Sequence, residues 1–134
     1  MKVINIYKCL CDIQRLRILN LLRAGPLCVC HLMEILQADQ VKISKQLRYM
    51  KDLGIVQAER RAQWMVYSLS EDTNPLLSEN LKCLQDCFHE QVCFAEDLEA
   101  HARISSSLQG SPCLPIFETK VPDQYVHSQP SHLL

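Results

Sequence analysis

The stretch LCVCHLMEIL, residues 27–36, sets two thiols one residue apart and follows them at once with a histidine. Within a regular helix, side chains two positions apart diverge by about 200° and cannot share an ion. Gly25-Pro26 stops whatever helix comes before, so Cys28 falls where Ser or Thr ordinarily caps the next one. From a cap position, outside helical geometry, its sulfur can converge with that of Cys30. A helix N-terminus also favours anions and lowers thiol pKa, which produces the thiolate that binds metal. As(III) takes three thiolates, whereas Zn(II), Cd(II) or Pb(II) take three or four soft donors. His31 either offers an imidazole to zinc or stands on the solvent face of the helix.

Other cysteines are spaced less tellingly. The chain has eight in 134 residues. Cys9 and Cys11 flank Leu10 and are themselves about 200° apart if helical, so one of them at most joins a shared site unless the helix starts late. Cys83 and Cys87 are one turn apart beside an apolar stripe and serve either as packing or as a possible second metal site. His89 and Cys93 form a similar dyad on the outer face, and Cys113 stands alone near the C-terminus. Thiols in this number suggest metal or redox chemistry in a reducing compartment. MKVINIYKCL lacks the unbroken apolar run of a signal peptide, and no run of about 18 apolar residues occurs. A cytoplasmic location with no membrane contact is the expectation. No Cys-x-x-Cys beside a βαβ unit and no strand-rich scaffold for a nucleophile are present, which excludes a thiol enzyme or redox carrier.

The elements that must hold these residues are mostly helical. Asp12 caps DIQRLRILNLLRAG, with Ile18, Leu19 and Leu22 at helical spacing; LCVCHLMEIL opens a second helix. After the polar link QADQ comes VKISKQLRYMKDL, closed by Gly54. Ile43, Leu47 and Met50 form its core stripe, while Val41, Lys42, Lys45, Arg48 and Tyr49 share the opposite face. IVQAE and WMVYSL alternate as a hairpin with a basic tip. Asn74-Pro75 then starts a helix predicted to run from about 74 to 106, striped by Leu77, Leu81, Leu84, Phe88, Val92, Ala95, Leu98 and Ala102. A helix that long exceeds what a small domain buries alone and suits a dimer interface.

Charge is segregated behind a net of −1. Residues 40–63 hold six basic against two acidic side chains, and residues 71–100 hold eight acidic against one basic. A basic face on a neutral chain points either to an anionic partner or to a solvated surface. The amphipathic basic helix fits the major groove of double-stranded DNA. Gln40, Val41, Lys42, Ser44, Lys45 and Gln46 are the candidate base-edge readers, and Arg48, Arg60 and Arg61 the candidate phosphate contacts.

These elements spell a mainly α domain with a small β-hairpin, a winged helix-turn-helix over residues 1–106, followed by a Ser- and Pro-rich tail over 107–134. Through DIQRLRILNLLRAG, LCVCHL, QVKISKQLRYMKDLGIV and ERRAQWMVYSL, about residues 6–70, the chain resembles the ArsR/SmtB family of metalloid- and metal-sensing transcriptional repressors. The resemblance implies a homodimer joined through its first and last helices, with operator DNA against the basic helix and wing. It implies Cys28 and Cys30 as inducer ligands, with Cys9 and Cys11 as the best additional donors. This chain departs from the family at Met33, where arsenite sensors carry a third cysteine, and at Ala62-Gln63, where wings carry a glycine and a further basic residue. The expectation is a repressor released by a thiophilic ion, As(III) or Sb(III), with a Zn-, Cd- or Pb-responsive or thiol-redox repressor of the same fold as the alternative. A structural zinc module for protein contacts is the reading from another class.

Overall fold

The computed structural model describes residues 3–71, 74–87 and 91–107. The tail from 108 onward, with Cys113, lies outside them, as do Phe88 and His89.

Helix α1 (Val3–Leu10) ends just before Asp12, which caps α2 (Ile13–Ala24) by accepting a 3.0 Å hydrogen bond from the Arg15 backbone N–H. Arg15 also ties the two helices together. Its guanidinium donates to the carbonyls of Cys9 and Lys8 at the C-terminus of α1, where Lys8 O also accepts from the Cys11 N–H. Pro26 has no N–H to continue α2, and the chain turns into a two-residue strand, β1 (Leu27–Cys28). Helix α3 (Val29–Leu36) follows, then a tight link in which Gln37 takes a left-handed conformation (φ 52°) and Asp39 accepts from the Lys42 N–H at 2.9 Å. Helix α4 (Gln40–Asp52) closes at Gly54, whose φ of 78° is the conformation that favours glycine.

Strands β2 (Val56–Arg61) and β3 (Trp64–Leu69) make the hairpin, with Arg61 opposite Trp64 across the two-residue turn Ala62-Gln63. The sheet has a third member that the sequence reading lacks. β1 pairs antiparallel with β3, giving the order β1-β3-β2, with Leu27 opposite Tyr67 and Cys28 opposite Val66. The core joins Ile18, Leu19 and Leu22 of α2, Leu32 of α3, and Ile43, Leu47 and Met50 of α4. The expected stripe of α4 is thus fully buried, and its basic face is left outside.

The expected single helix over about 74–106 is instead two. α5 (Pro75–Gln85) starts on an Asn74 cap and docks Leu77 and Leu81, while α6 (Cys93–Ser107) packs across α2 and α3. The buried face of α6 follows the expected apolar stripe only in part, since Leu98 packs against the core but other residues are the fully buried ones. Phe94, Asp97 and His101 are inside, whereas Val92 is 56% exposed. The reason is an ion pair. Arg17 of α2 grips Asp97 through two hydrogen bonds of 2.7 and 2.8 Å, and neutralising that carboxylate lets its face of the helix turn inward.

Candidate metal centre and nucleic-acid interface

Cys28 holds an extended backbone (φ −87°, ψ 162°) at the N-cap of α3. From there its Sγ lies 2.7 Å from Cys30 Sγ and 3.0 Å from His31 Nδ1. All three donor atoms fall within 4.8 Å of one another. Bonds of about 2.0–2.3 Å from nitrogen and sulfur to a single ion suit such a spread. Cys28 and His31 are buried and Cys30 is half-buried, so the group opens to solvent on one side.

The expectation of His31 as a solvent-facing residue is not met: it is 2% exposed. Burial pushes its pKa down, against a smaller opposing pull from Glu34, and the neutral ring is the form that ligates metal. His31 Nε2 is buried with no hydrogen-bond partner among the described residues. A donor set of two thiols and an imidazole gathered this closely fits a thiophilic ion. His101 of α6 is buried as well; its pKa is lowered first by burial and then by its proximity to His31. His101 and the Arg17–Asp97 pair were absent from the sequence reading. The one available signal was the i, i+3, i+7 spacing of Phe94, Asp97 and His101.

The other candidate ligands are placed elsewhere. Cys9 is fully buried in the core, and burial pushes its thiol up to about 11, with Arg15 opposing weakly. Such a thiol stays protonated at neutral pH and is a poor ligand. Cys11 is exposed at the turn after α1. Cys83 and Cys87 are both exposed, so neither packs into the core, and no third ligand gathers around them among the described residues.

The cationic face lies on α4 and the wing. Gln40, Val41, Lys42, Lys45 and Arg48 are exposed, with Val41 70% so, and Ser44 is half-buried. Gln46 is the exception among the expected base readers. Its amide reaches Asp12 (3.3 Å) and Gln14 (3.4 Å) and accepts from Arg15 (3.2 Å), so it is turned to the α2–α4 seam. Arg15 also lies 4.5 Å over the Tyr49 ring. Between these helices runs an open groove of about 500 Å³ with Lys42 and Lys45 on its wall. On the wing Arg60 is exposed, while Arg61 is half-buried and 3.4 Å from Glu59.

Residues 9–58 match the family model described as bacterial regulatory protein, arsR family. The arsenic resistance transcriptional regulator ArsR1 of Pseudomonas putida is 36% identical over 86 residues, 63% of this chain and 67% of that protein. The arsenical resistance operon repressor of Bacillus subtilis is 39% identical over 80 residues, 58% of this chain and 76% of its own length. This chain belongs to the ArsR family. Among solved structures, the AntR antimony-specific transcriptional repressor superposes with a TM-score of 0.55 at 30% identity, covering 67% of this chain and 78% of that one. As an ArsR-family winged helix-turn-helix transcriptional repressor, this protein acts by binding DNA and is not an enzyme. Among its described residues no helix is long and apolar enough to cross a membrane.

Proposed function

We propose that this ArsR-family protein grips double-stranded operator DNA as a homodimer and lets go when Cys28 and Cys30 capture a thiophilic ion, arsenite or antimonite. One observation carries the reading. Cys28 is at once a thiol donor, the cap of α3 and the β1 residue paired with Val66 of the wing. A change at this residue is therefore felt both in the helix-turn-helix and in the wing. Relatives and neighbours named for arsenical and antimony resistance support the choice of ion. The exposed apolar residues Val3, Ile4 and Tyr7 of α1 and Val92 before α6 support a second copy joining through the first and last helices.

Coupling of about 1–3 kcal/mol between ion and DNA loosens binding roughly 5- to 150-fold. The test is a DNA-binding titration with arsenite, comparing the wild type with Cys28→Ser and Cys30→Ser. The wild type is expected to dissociate and both variants to stay bound. If both variants dissociate as readily as the wild type, the inducer site is elsewhere.

The 2.7 Å separation of the sulfurs favours a second reading, a redox switch. Peroxide would take two electrons and two protons from the pair, forming an S–S bond and two water molecules. A two-proton mass loss accompanied by loss of DNA binding would identify this route.

A further inference from the structure

Helix α4 turns a row of cations outward, and one side chain in that row is out of keeping with the rest. Val41 is 70% exposed, more than any other large hydrophobic side chain among the described residues. At about 100° per residue, Val41, Lys45 and Arg48 fall within about 60° of one another, opposite the buried stripe of Ile43, Leu47 and Met50. Val41 is also the second residue of the helix, at the end whose side chains reach base edges when such a helix enters the major groove. Gln46 is turned to the seam with α2 and Ser44 is half-buried, so neither stands as far out.

Covering a base edge with an isopropyl group has a chemical consequence. In the major groove, adenine, guanine and cytosine present hydrogen-bond donors and acceptors, whereas thymine adds a C5 methyl group. A donor or acceptor covered by Val41 loses its water and gains no partner. The thymine methyl is instead matched by an apolar side chain, and the two surfaces leave water together. Valine is stiff at its one side-chain torsion, so it has little freedom to lose on contact.

We propose that Val41 reads the C5 methyl group of a thymine in each half-site of the operator, so that the preferred duplex carries thymine at one fixed position under the start of α4. The inference rests on the reading of α4 as the DNA-gripping helix of a homodimer. Val41 selects by exclusion as much as by attraction, since every other base edge is left with an unmatched polar atom. Arg48, further along the same row, supplies charge that is blind to the base.

The test uses the full-length protein and a short duplex that the wild type enriches from a random-sequence pool. Each thymine is replaced in turn by uracil, which removes the methyl group and keeps both the pairing and the O4 acceptor. The wild type is expected to bind about fourfold more weakly when the key thymine of one half-site is replaced, the loss of one buried carbon, and roughly fifteenfold more weakly when both are. Val41→Ala should bind the thymine duplex more weakly and be indifferent to uracil at that position, while matching the wild type at every other position. Val41→Ile keeps a branched apolar surface and should retain the uracil effect. The salt slope of binding should be the same in all three proteins, because a methyl contact releases no counterion.

If no thymine shows a uracil effect that Val41→Ala abolishes, the proposal is overturned. A Val41→Ala variant that weakens on every duplex alike, with the uracil effects intact, assigns the side chain to the sugar–phosphate backbone and overturns it as well. In both cases the reading of α4 as the DNA-gripping helix stands, because a duplex was enriched. If the pool yields no enriched sequence, that reading falls, and this inference with it.

Discussion

The latch between α2 and α6 invites a test in which the two halves of one ion pair should differ in cost. Asp97 has a side chain only 3% exposed, and Arg17 meets it from a position 26% exposed. Arg17→Ala leaves a carboxylate only 3% exposed without the guanidinium that grips it. Breaking a buried pair this way costs about 3–5 kcal/mol. Asp97→Ala leaves a guanidinium that can swing toward water, so its loss is closer to that of a charge-assisted hydrogen bond, about 1–3 kcal/mol. The difference of about 2 kcal/mol corresponds to a melting shift of roughly 8–16 °C in a domain of this size. Urea unfolding at fixed protomer concentration measures it, because dimerisation makes stability concentration-dependent. The double variant Arg17→Met/Asp97→Leu should be neutral or more stable than the wild type, since it removes both desolvated charges at once. If Asp97→Ala costs as much as Arg17→Ala, the asymmetry of burial does not control the pair, and the account of why α6 turns its polar face inward is wrong.

The buried histidines set an acid limit. Burial holds the pKa values of His31 and His101 below 6.5, so the unfolded chain takes up protons first as pH falls. Stability of the metal-free protein should be full above about pH 6.5 and decline below it, with His101→Phe flattening the decline in urea titrations at pH 7.5 and 5.5. Cys9 sets an alkaline limit in the opposite sense. With its thiol pushed up to about 11 in the fold from 9.0, stability should fall as pH rises past 9. The same shift leaves about one Cys9 in a thousand ionised at pH 8. Iodoacetamide should therefore label exposed Cys11 while Cys9 reacts only in denaturant, and equal labelling rates would contradict that burial. On DNA, Arg48→Ala and Arg60→Ala should each reduce the salt slope of binding by about 1, if each contacts one phosphate. Gln40→Ala should instead weaken operator binding and leave non-specific binding unchanged.

Features decided by neighbours in sequence were legible, and features decided by distant partners were not. The caps at Asp12 and Asn74, the stop at Gly25-Pro26 and the turn at Gly54 each depend on a few adjacent residues. Ile43, Leu47 and Met50 announced the inner face of α4 because period and apolarity agree there. The strand Leu27–Cys28 could not be read. Two residues carry no period, and its status rests on Tyr67 and Val66, which lie far along the chain. Reading α6 by apolar period selected Val92 and Ala102, whereas burial selected Asp97 and His101. That choice needs Arg17, 80 residues away.

His31 belongs with these cases. Nothing local tells a solvent-facing histidine from a buried one, and its burial follows from α6 packing across α3. The consequence reaches function. Arg17 and Asp97 join α2 to α6, and α6 packs across α3, so the ion pair that looks purely structural also helps hold the helix that lies beside the candidate metal centre. Loosening the latch with Arg17→Ala should therefore loosen the packing around His31 more than the Cys28 cap, since the cap cysteine is held by β3 rather than by α6, and hydrogen exchange along α3 and β1 measures the two.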